Sequence, residues 1–554
     1  MKRKLRPNSA ALRRVALAAA ACVAGANAFA IEFDTGNPDL SVRWDNSVKY
    51  SAAWRLSAQD PALLGHANTD DGNRNFNKGL ISNRLDLLTE LDAVYAKRYG
   101  LRVSATGWYD TVYNRTNDNP GFAGGAFPNQ ASVPFNEFTQ PTRSLHGRKF
   151  ETLDAFVFGG FDIGSTRGTV RLGQHGLVWG ESLFFGTNAI AGGMNAVDAI
   201  KLASVPNTQF KEAIRPVPQV SAQLQITQNL SLGAYYQFKW QPNRLPAAGS
   251  YFSGIDVNPE GGERLLLGPA ASAPRLSDQR ARDSGQGGLQ LQLRSETTDY
   301  GLYLIRFHDK THQQVVSIGL APGVGGPIPV GYRLAYAENI TAFGASASRS
   351  FGDVNVAAEA SVRRNQGLAS TSGAVDTSIL TGGPASNNTD NPGYAVGKTA
   401  HVNLSAIWTV PRTPLFNEAS FTGEIAWNRV LSISKNASAV DVNSTRDAVA
   451  LRMLFEPQYR QVLPGLDLGV PIGLGYTPKG SRSRALGAPA VPPENGGDVT
   501  LGLKGTYLGI WKSSLVYTRF FGPKGTALDA GNSFSYRQYM HDRDFVALSV
   551  SRTF

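Results

Sequence analysis

Leu40-Ser41-Val42-Arg43-Trp44-Asp45-Asn46-Ser47-Val48-Lys49-Tyr50-Ser51-Ala52-Ala53-Trp54-Arg55-Leu56-Ser57 alternates without a break. The even positions carry Leu40, Val42, Trp44, Val48, Tyr50, Trp54 and Leu56; the odd ones carry Ser41, Arg43, Asp45, Lys49 and Arg55. Successive strand side chains point to opposite faces, so one face is apolar and the other polar and charged. The run is far longer than an ordinary strand of about five or six residues. It suits a tilted membrane-crossing strand, which needs about 9–11 residues in the hydrocarbon. Trp and Tyr near the ends of the apolar face match the girdles at membrane–water boundaries. The expected fold class is therefore all-β, a transmembrane antiparallel outer-membrane β-barrel.

The same alternation recurs along the chain, for example in Leu289-Gln290-Leu291-Gln292-Leu293-Arg294 and in Val354 to Arg363. Strands are expected over 40–57, 80–97, 100–114, 149–162, 166–175, 217–227, 229–241, 285–296, 300–308, 333–350, 353–364, 398–409, 418–429, 446–456, 464–476, 498–507, 511–520 and 540–554, eighteen in all. Short connections such as Arg98-Tyr99 and Phe351-Gly352 alternate with long ones such as 58–79, 115–148 and 242–284. Outer-membrane barrels have that rhythm, with short periplasmic turns and long extracellular loops. A soluble sandwich or propeller also alternates, but with shorter strands and without it.

Residues 1–30 read as a secretory signal: Lys2, Arg3, Lys4, Arg6, Arg13 and Arg14, then an Ala-rich core, then Ala28-Phe29-Ala30 as cleavage site. The domains are thus a signal peptide over 1–30 and one barrel over 31–554, in the outer membrane of a Gram-negative bacterium. Cys22, the one cysteine, falls in the signal, so the mature chain has no disulfide or thiolate chemistry. Six of the net +11 charges sit there too, and the mild remainder of +5 argues against a nucleic-acid partner. Phe554, at the end of an alternating strand, resembles the signal read by the outer-membrane assembly machinery.

Residues 176–216 do not alternate. An insertion this long, with a short helix of its own, suits a segment folded into the lumen. Asn195 is expected to cap that helix, whose apolar residues are Val197, Ile200 and Leu202. A barrel of this size encloses water unless something fills it. The expected constriction is built from Trp179, Glu181, Ser182, Asn188, Asn195, Asp198, Lys211 and Glu212, facing Arg43, Arg84, Asp86, Arg102 and Asp110 on the wall. Glu181 is expected to bond a lumen Arg and hold the insertion. An external cap over the barrel is the alternative.

Several stretches together resemble a known family. They are Asp70-Asp71-Gly72-Asn73-Arg74-Asn75-Phe76 with Ser82 to Leu87, Trp108 to Asn114, Leu172-Gly173-Gln174 through Trp179-Gly180-Glu181-Ser182, Lys211-Glu212 with Pro216, and Tyr235-Tyr236-Gln237-Phe238 with Trp240. The family is a group of proteobacterial outer-membrane β-barrels catalogued as a domain of unknown function. The resemblance implies an outer-membrane location, beside an inner-membrane exporter of the resistance-nodulation-division type and a periplasmic lipid-binding protein. It points to lipids or other hydrophobic molecules.

Chemistry is sparse. His308 and His312 are four apart, but at a strand-to-loop junction, not on a helix, so no metal site is expected. Asp70-Asp71-Gly72-Asn73 resembles part of a calcium loop without its downstream Glu and reads as a polar turn in an external loop, with a divalent ion bridging it to lipopolysaccharide as the alternative. Ser182 has His175 upstream but no Gly-x-Ser-x-Gly elbow, so no catalytic residues are expected. No cofactor is expected either. Three functions stay open: a channel for a hydrophobic or amphipathic small molecule or lipid, a porin for small polar or anionic solutes, and a barrel-anchored surface binding or structural protein.

Overall fold

In the computed structural model, residues 31–164, 166–205, 207–258, 260–320, 323, 325–478, 484–485 and 493–554 are described. The signal-peptide reading of residues 1–30, with Cys22 and the cut after Ala30, lies outside them. Leu40–Arg55 pairs on one side with Gly79–Tyr95 and on the other with Phe545–Thr553, so the last strand returns to the first and the sheet closes. Phe554 and Asn46 exchange both backbone hydrogen bonds at the seam, at 2.8 and 2.7 Å. Every neighbouring pair around the ring is antiparallel, and the barrel has eighteen staves. One stave is broken, Leu466–Gly469 and Ile472–Thr477, at Pro471, which has no N–H for the ladder. Closure leaves no unpaired edge, which the hydrocarbon of a bilayer requires. Among the described residues no helix is long and apolar enough to cross a membrane.

The alternating faces sort as the sequence predicts. Trp44, Trp54, Leu85, Leu87, Leu91, Leu289, Leu302, Leu404 and Leu501 are exposed on the outer surface. Arg43, Lys49, Arg84, Asp86, Glu90 and Asp92 occupy the opposite positions and line the lumen. Some bounds shift: the strands expected over 418–429 and 446–456 run on to Lys435 and Leu463, and the last begins at Phe545, not 540. The expected strand 333–350 joins two elements: Pro327–Ala335 belongs to a hairpin with Gln313–Leu320, and the barrel strand is Ile340–Phe351. Asn339, at φ 59°, turns the chain between them.

The short turns are tight. Ala96 and Lys97 both take positive φ, 49° and 54°, and Gly352 sits at φ 57° between Ile340–Phe351 and Val354–Gly367. At the other end the long loops pack on one another. Phe76, Tyr113, Phe138 and Tyr251 from three loops, with Ile81 and Phe545 at strand ends, form one buried aromatic cluster. Ile255, Val257, Leu265, Tyr332 and Leu528 form a second. Arg55, fully buried, ties this cap to the barrel rim through the Asp542 carboxylate at 2.8 Å and the Phe76 carbonyl at 2.7 Å.

Candidate functional site

The chain leaves the long-loop end of Thr166–His175 and drops into the lumen over residues 176–216. Wall residues six to eight staves away receive it. Glu424, on Glu418–Lys435, accepts the backbone N–H groups of Leu183 (3.1 Å), Phe184 and Phe185 (2.9 Å) and the Ser182 hydroxyl (2.7 Å). Asn403 steadies that carboxylate at 2.7 Å. Glu359, on Val354–Gly367, accepts the N–H groups of Glu181 (2.8 Å) and Ile190 (2.6 Å). Glu424 caps three consecutive amides and Glu359 two that lie nine residues apart, all of which irregular backbone would otherwise bury unpaired.

Cations of the barrel take the carbonyls. The Arg363 guanidinium donates to the carbonyls of Thr187, Asn188 and Ala189 at 2.8–3.0 Å. Lys310 donates to the Gly193 carbonyl at 2.7 Å, and burial pushes its ammonium down to about 7. Asn188 bridges the two kinds of contact: its amide donates to Asn403 at 2.9 Å, and its oxygen accepts from Asn428 at 3.0 Å and faces His401 Nδ1 at the same distance. Apolar packing completes the docking. Trp179, Ile190 and Met194 are buried against Tyr235, Tyr303, Ile305 and Phe307, which the barrel turns inward. Gly180 is required where it stands. Its φ is 91°, and an added Cβ would meet the Glu359 carboxylate at 2.1 Å.

The expected site residues separate into groups. Trp179, Ser182, Asn188 and the Glu181 backbone are in the docked segment, as described. Glu181 differs from expectation. Among the described residues its carboxylate pairs with no Arg; it faces Asp299, and burial and that charge push its carboxyl up. Wall carboxylates hold the insertion because its exposed needs are backbone N–H groups, which an acidic side chain on the insertion cannot satisfy. Asn195 also differs. It ends the short helix Ile190–Met194, and the helix Ala199–Ser204 is capped instead by Asp198, which accepts from Ile200 and Lys201. Asp198 also pairs with Arg244 at 2.7 Å. Lys211 and Glu212 are exposed, Glu212 closing a capping box with Gln209. On the wall, Arg43 pairs with Asp45 and Arg84 with Asp86 along their own strands, and Arg102 crosses to Glu90 and Asp92 on the next strand; among the described residues none of these three pairs with the insertion. Asp110 is buried at a strand end, accepting from Ser82, Asn83 and Val112. Ser182 and His175 do not meet: His175 Nε2 lies 2.7 Å from the Ser221 hydroxyl. His308 and His312 are likewise engaged apart, His308 with Ser284 and Asn339, His312 edge-on to Tyr336.

Sequence reasoning passed over Glu359, Glu424, Arg363, His401 and Asn403, all on inward faces of alternating strands. The available signal was a full-length acid or base among Ser, Ala and Asn on those faces.

The insertion borders two spaces. Toward the long loops lies a chamber of about 440 Å³. Phe184, Phe185, Leu202 and Phe210 of the insertion line it, with Ala426, Ala450 and Phe520 of the barrel and Phe252, Ile255, Phe534, Tyr536, Tyr539 and Met540 of the loops. Asn188, Asn428 and the ion pair Arg452–Asp498 (3.1 Å) give it a polar margin. Toward the short turns lies a space of about 300 Å³ bordered by Glu181, Gln223, Gln225, Asn229, Gln292, Arg294 and Asp299.

A closed eighteen-stave barrel with an apolar outer surface and a segment docked across its lumen defines a β-barrel of the outer-membrane type. The chain belongs to the family described as Protein of unknown function (DUF1302), which matches residues 10–554. No curated protein matches it in sequence. Among solved structures it is similar to Acinetobacter baumannii OccAB3 (10% identity, 93% of this chain and 99% of that one, TM-score 0.43) and OccAB4 (10%, 93% and 98%, 0.40). Salmonella typhi OmpF is similar at 9% identity over 95% of this chain and all of that one, TM-score 0.36. The fold assignment here rests on the closed ladder itself.

Proposed function

We propose that this protein is an outer-membrane channel that passes a hydrophobic or amphipathic small molecule, and that the chamber above the insertion is where the molecule binds. The observation that carries this reading is the chamber's lining. Phenylalanines from the insertion, the barrel and the loops converge in a lumen whose wall over Leu40–Arg55 and Gly79–Tyr95 is charged. Its volume lies within the range of about 300–1,000 Å³ of small-molecule sites, and apolar walls with a few polar groups are their usual makeup. The Arg452–Asp498 pair and Asn428 would meet the polar end of an amphipathic guest. A lipid-binding periplasmic protein and an inner-membrane exporter would be the partners on the short-turn side, and lipopolysaccharide would surround the long loops.

The charged wall, with Lys49, Arg84, Asp86 and Arg102, favours a second reading, a porin for small polar or anionic solutes. One experiment separates the two. The refolded protein is titrated with an apolar fluorescent probe, and its conductance is measured in a planar bilayer. Saturable probe binding that Phe184→Gln and Phe534→Gln weaken, with small or no steady conductance, is the expected result. Large ion-selective openings with no saturable probe binding would overturn the hydrophobic reading in favour of the porin.

A further inference from the structure

The segment Asp70-Asp71-Gly72-Asn73 is not the exposed polar turn its composition suggests. Asp71–Arg74 is a single helical turn folded under the cap, and the loop 238–285 brings Asp256 onto it. Asp70 is fully buried, Asp256 is 2% exposed, and one oxygen from each of Asp70, Asp71 and Asp256 lies within 4.8 Å of the other two. Their hydrogen bonds are incomplete. Asp256 Oδ2 accepts the Asp71 N–H at 3.0 Å and Asp70 Oδ2 accepts from Arg74 at 2.8 Å, yet Asp256 Oδ1 and Asp70 Oδ1 are buried without a partner.

A second observation comes from another loop. Asp71 and Asp256 border a cavity of about 20 Å³, and Gln130 and Asn119 border it with them. Gln130 is 5% exposed; its amide nitrogen donates to Asn68 at 2.6 Å, and its oxygen Oε1 meets no donor. Asn119 donates to Asp71 Oδ1 at 3.3 Å. The space is large enough for one water or one ion. Two buried carboxylates and a half-buried third outnumber the cations beside them, Arg74, bonded to Asp70, and Arg543, whose Nη1 goes to the carbonyls of Tyr251 and Ser253, so the cluster is costly without further positive charge.

We infer that Asp70, Asp71, Asp256 and Gln130 form a site for one hard divalent cation, calcium in size, that ties three external loops together. Oxygen donors alone select calcium or magnesium over softer ions. Calcium sits about 2.3–2.6 Å from its oxygens, so donors up to about 5 Å apart share one ion; magnesium wants about 2.0–2.1 Å and a stricter octahedron. The ion links loop 56–78 through Asp70 and Asp71, loop 111–147 through Gln130, and loop 238–285 through Asp256. Burial places it inside the cap and not against lipopolysaccharide, which corrects the surface-bridge alternative.

The test uses the full-length barrel, refolded in lipopolysaccharide-free detergent and stripped with EDTA. Calorimetric titration with calcium chloride is expected to show one saturable site, with Kd in the range of about 0.1–1 mM usual for extracellular modules. Calcium at ten times Kd is expected to raise Tm, and magnesium to bind at least tenfold more weakly. Asp256→Asn and Asp70→Asn are expected to weaken calcium binding at least tenfold. Gln130→Ala, outside the carboxylate cluster, is expected to weaken it several-fold and serves if the Asp variants fail to fold. No saturable calcium heat in the wild type, unchanged affinity in the folded variants, or tighter binding of magnesium would each overturn the assignment.

Discussion

The two spaces that border the insertion differ in what lines them, though one segment of chain helps build both. Above it, toward the long loops, Phe184, Phe185, Phe210, Phe520 and Phe534 converge. Below it, Glu181, Gln223, Gln225, Gln292, Arg294 and Asp299 face water. The change occurs within three residues, from Glu181 to Phe184, and follows from how the backbone there is held. Glu359 takes the amide of Glu181 and Glu424 takes those of Leu183 to Phe185, so the turn is fixed and neighbouring side chains are sent to opposite sides. A polar barrel thus acquires an apolar compartment without giving up its hydrated wall. In the proposed transport, an apolar guest would gain free energy in the chamber and leave it past the polar margin of Asn428 and the Arg452–Asp498 pair.

The largest expected effect comes from releasing that turn. Glu359→Ala with Glu424→Ala removes the acceptors for six donors of the insertion, five of them backbone amides, each charge-assisted bond being worth about 1.5–3 kcal/mol. The barrel ladder is untouched, so the variant still migrates as a folded barrel, while the two spaces merge. Conductance in a planar bilayer rises at least severalfold. Unchanged conductance in a folded double variant would show that the insertion does not divide the lumen. Next in size is the lining itself. Burying or losing a Phe side chain is worth about 1.5–3 kcal/mol, so Phe184→Gln or Phe534→Gln weakens an apolar probe about tenfold or more. Equal affinity in wild type and both variants would show that the probe sits elsewhere.

Much of this arrangement is legible in the sequence, and the limits are physical. Period-2 alternation is local, so residues 40–57 reveal a membrane strand unaided, and the strand count of eighteen follows from repeating that reading. The insertion is visible because alternation stops at Gly176. What holds it is not visible, because the partners are distant: Glu359 lies 178 residues from Glu181, and Glu424 lies 242 from Ser182. A lone acid on a polar strand face looks the same whether it hydrates a pore or caps a loop. Glu181 attracted attention as the charged residue of its segment, whereas the segment's unmet need was in its amides. The cap at Asp198, not Asn195, is hidden for a related reason. Asn195 and Asp198 are equally good N-cap types, and only the folded path shows that the chain is still extended at Val197. The chamber's loop residues Phe534 to Tyr539 follow no period, and Met540, expected at the start of the last strand, lies in the loop before Phe545.

The external cap is expected to respond to acid. His146 is buried in the cap, stacked on Tyr113 at 4.8 Å, and its Nε2 accepts the Ala247 N–H at 3.1 Å, so it is held neutral. Burial, with Arg84 and Arg244 adding to it, pushes its imidazole down to about 3. A base with a lowered folded-state pKa binds fewer protons folded than unfolded, so its contribution is complete above about pH 6.5 and is lost as pH falls toward 3. Limited proteolysis of the long loops is expected to accelerate severalfold between pH 7 and pH 4, with heat-modifiable migration of the barrel unchanged. His146→Phe flattens that dependence; the same acceleration in the variant would place the pH sensitivity in other groups.

The smallest effect tests the lower space. Glu181 faces Asp299 there, with Arg294 paired to Asp299 at 2.9 Å, so its removal takes one negative charge from a hydrated region already holding both signs. A single charge in high dielectric, screened over about 8–10 Å, shifts selectivity only a little. Glu181→Gln is expected to move the salt-gradient reversal potential by a few millivolts toward anions, an effect that shrinks as salt rises. Its backbone N–H still reaches Glu359, so the insertion stays docked and probe affinity in the chamber is unchanged. A loss of probe affinity in Glu181→Gln would mean that the two spaces communicate through that side chain, and that the sharp division between an apolar upper and a polar lower compartment is wrong.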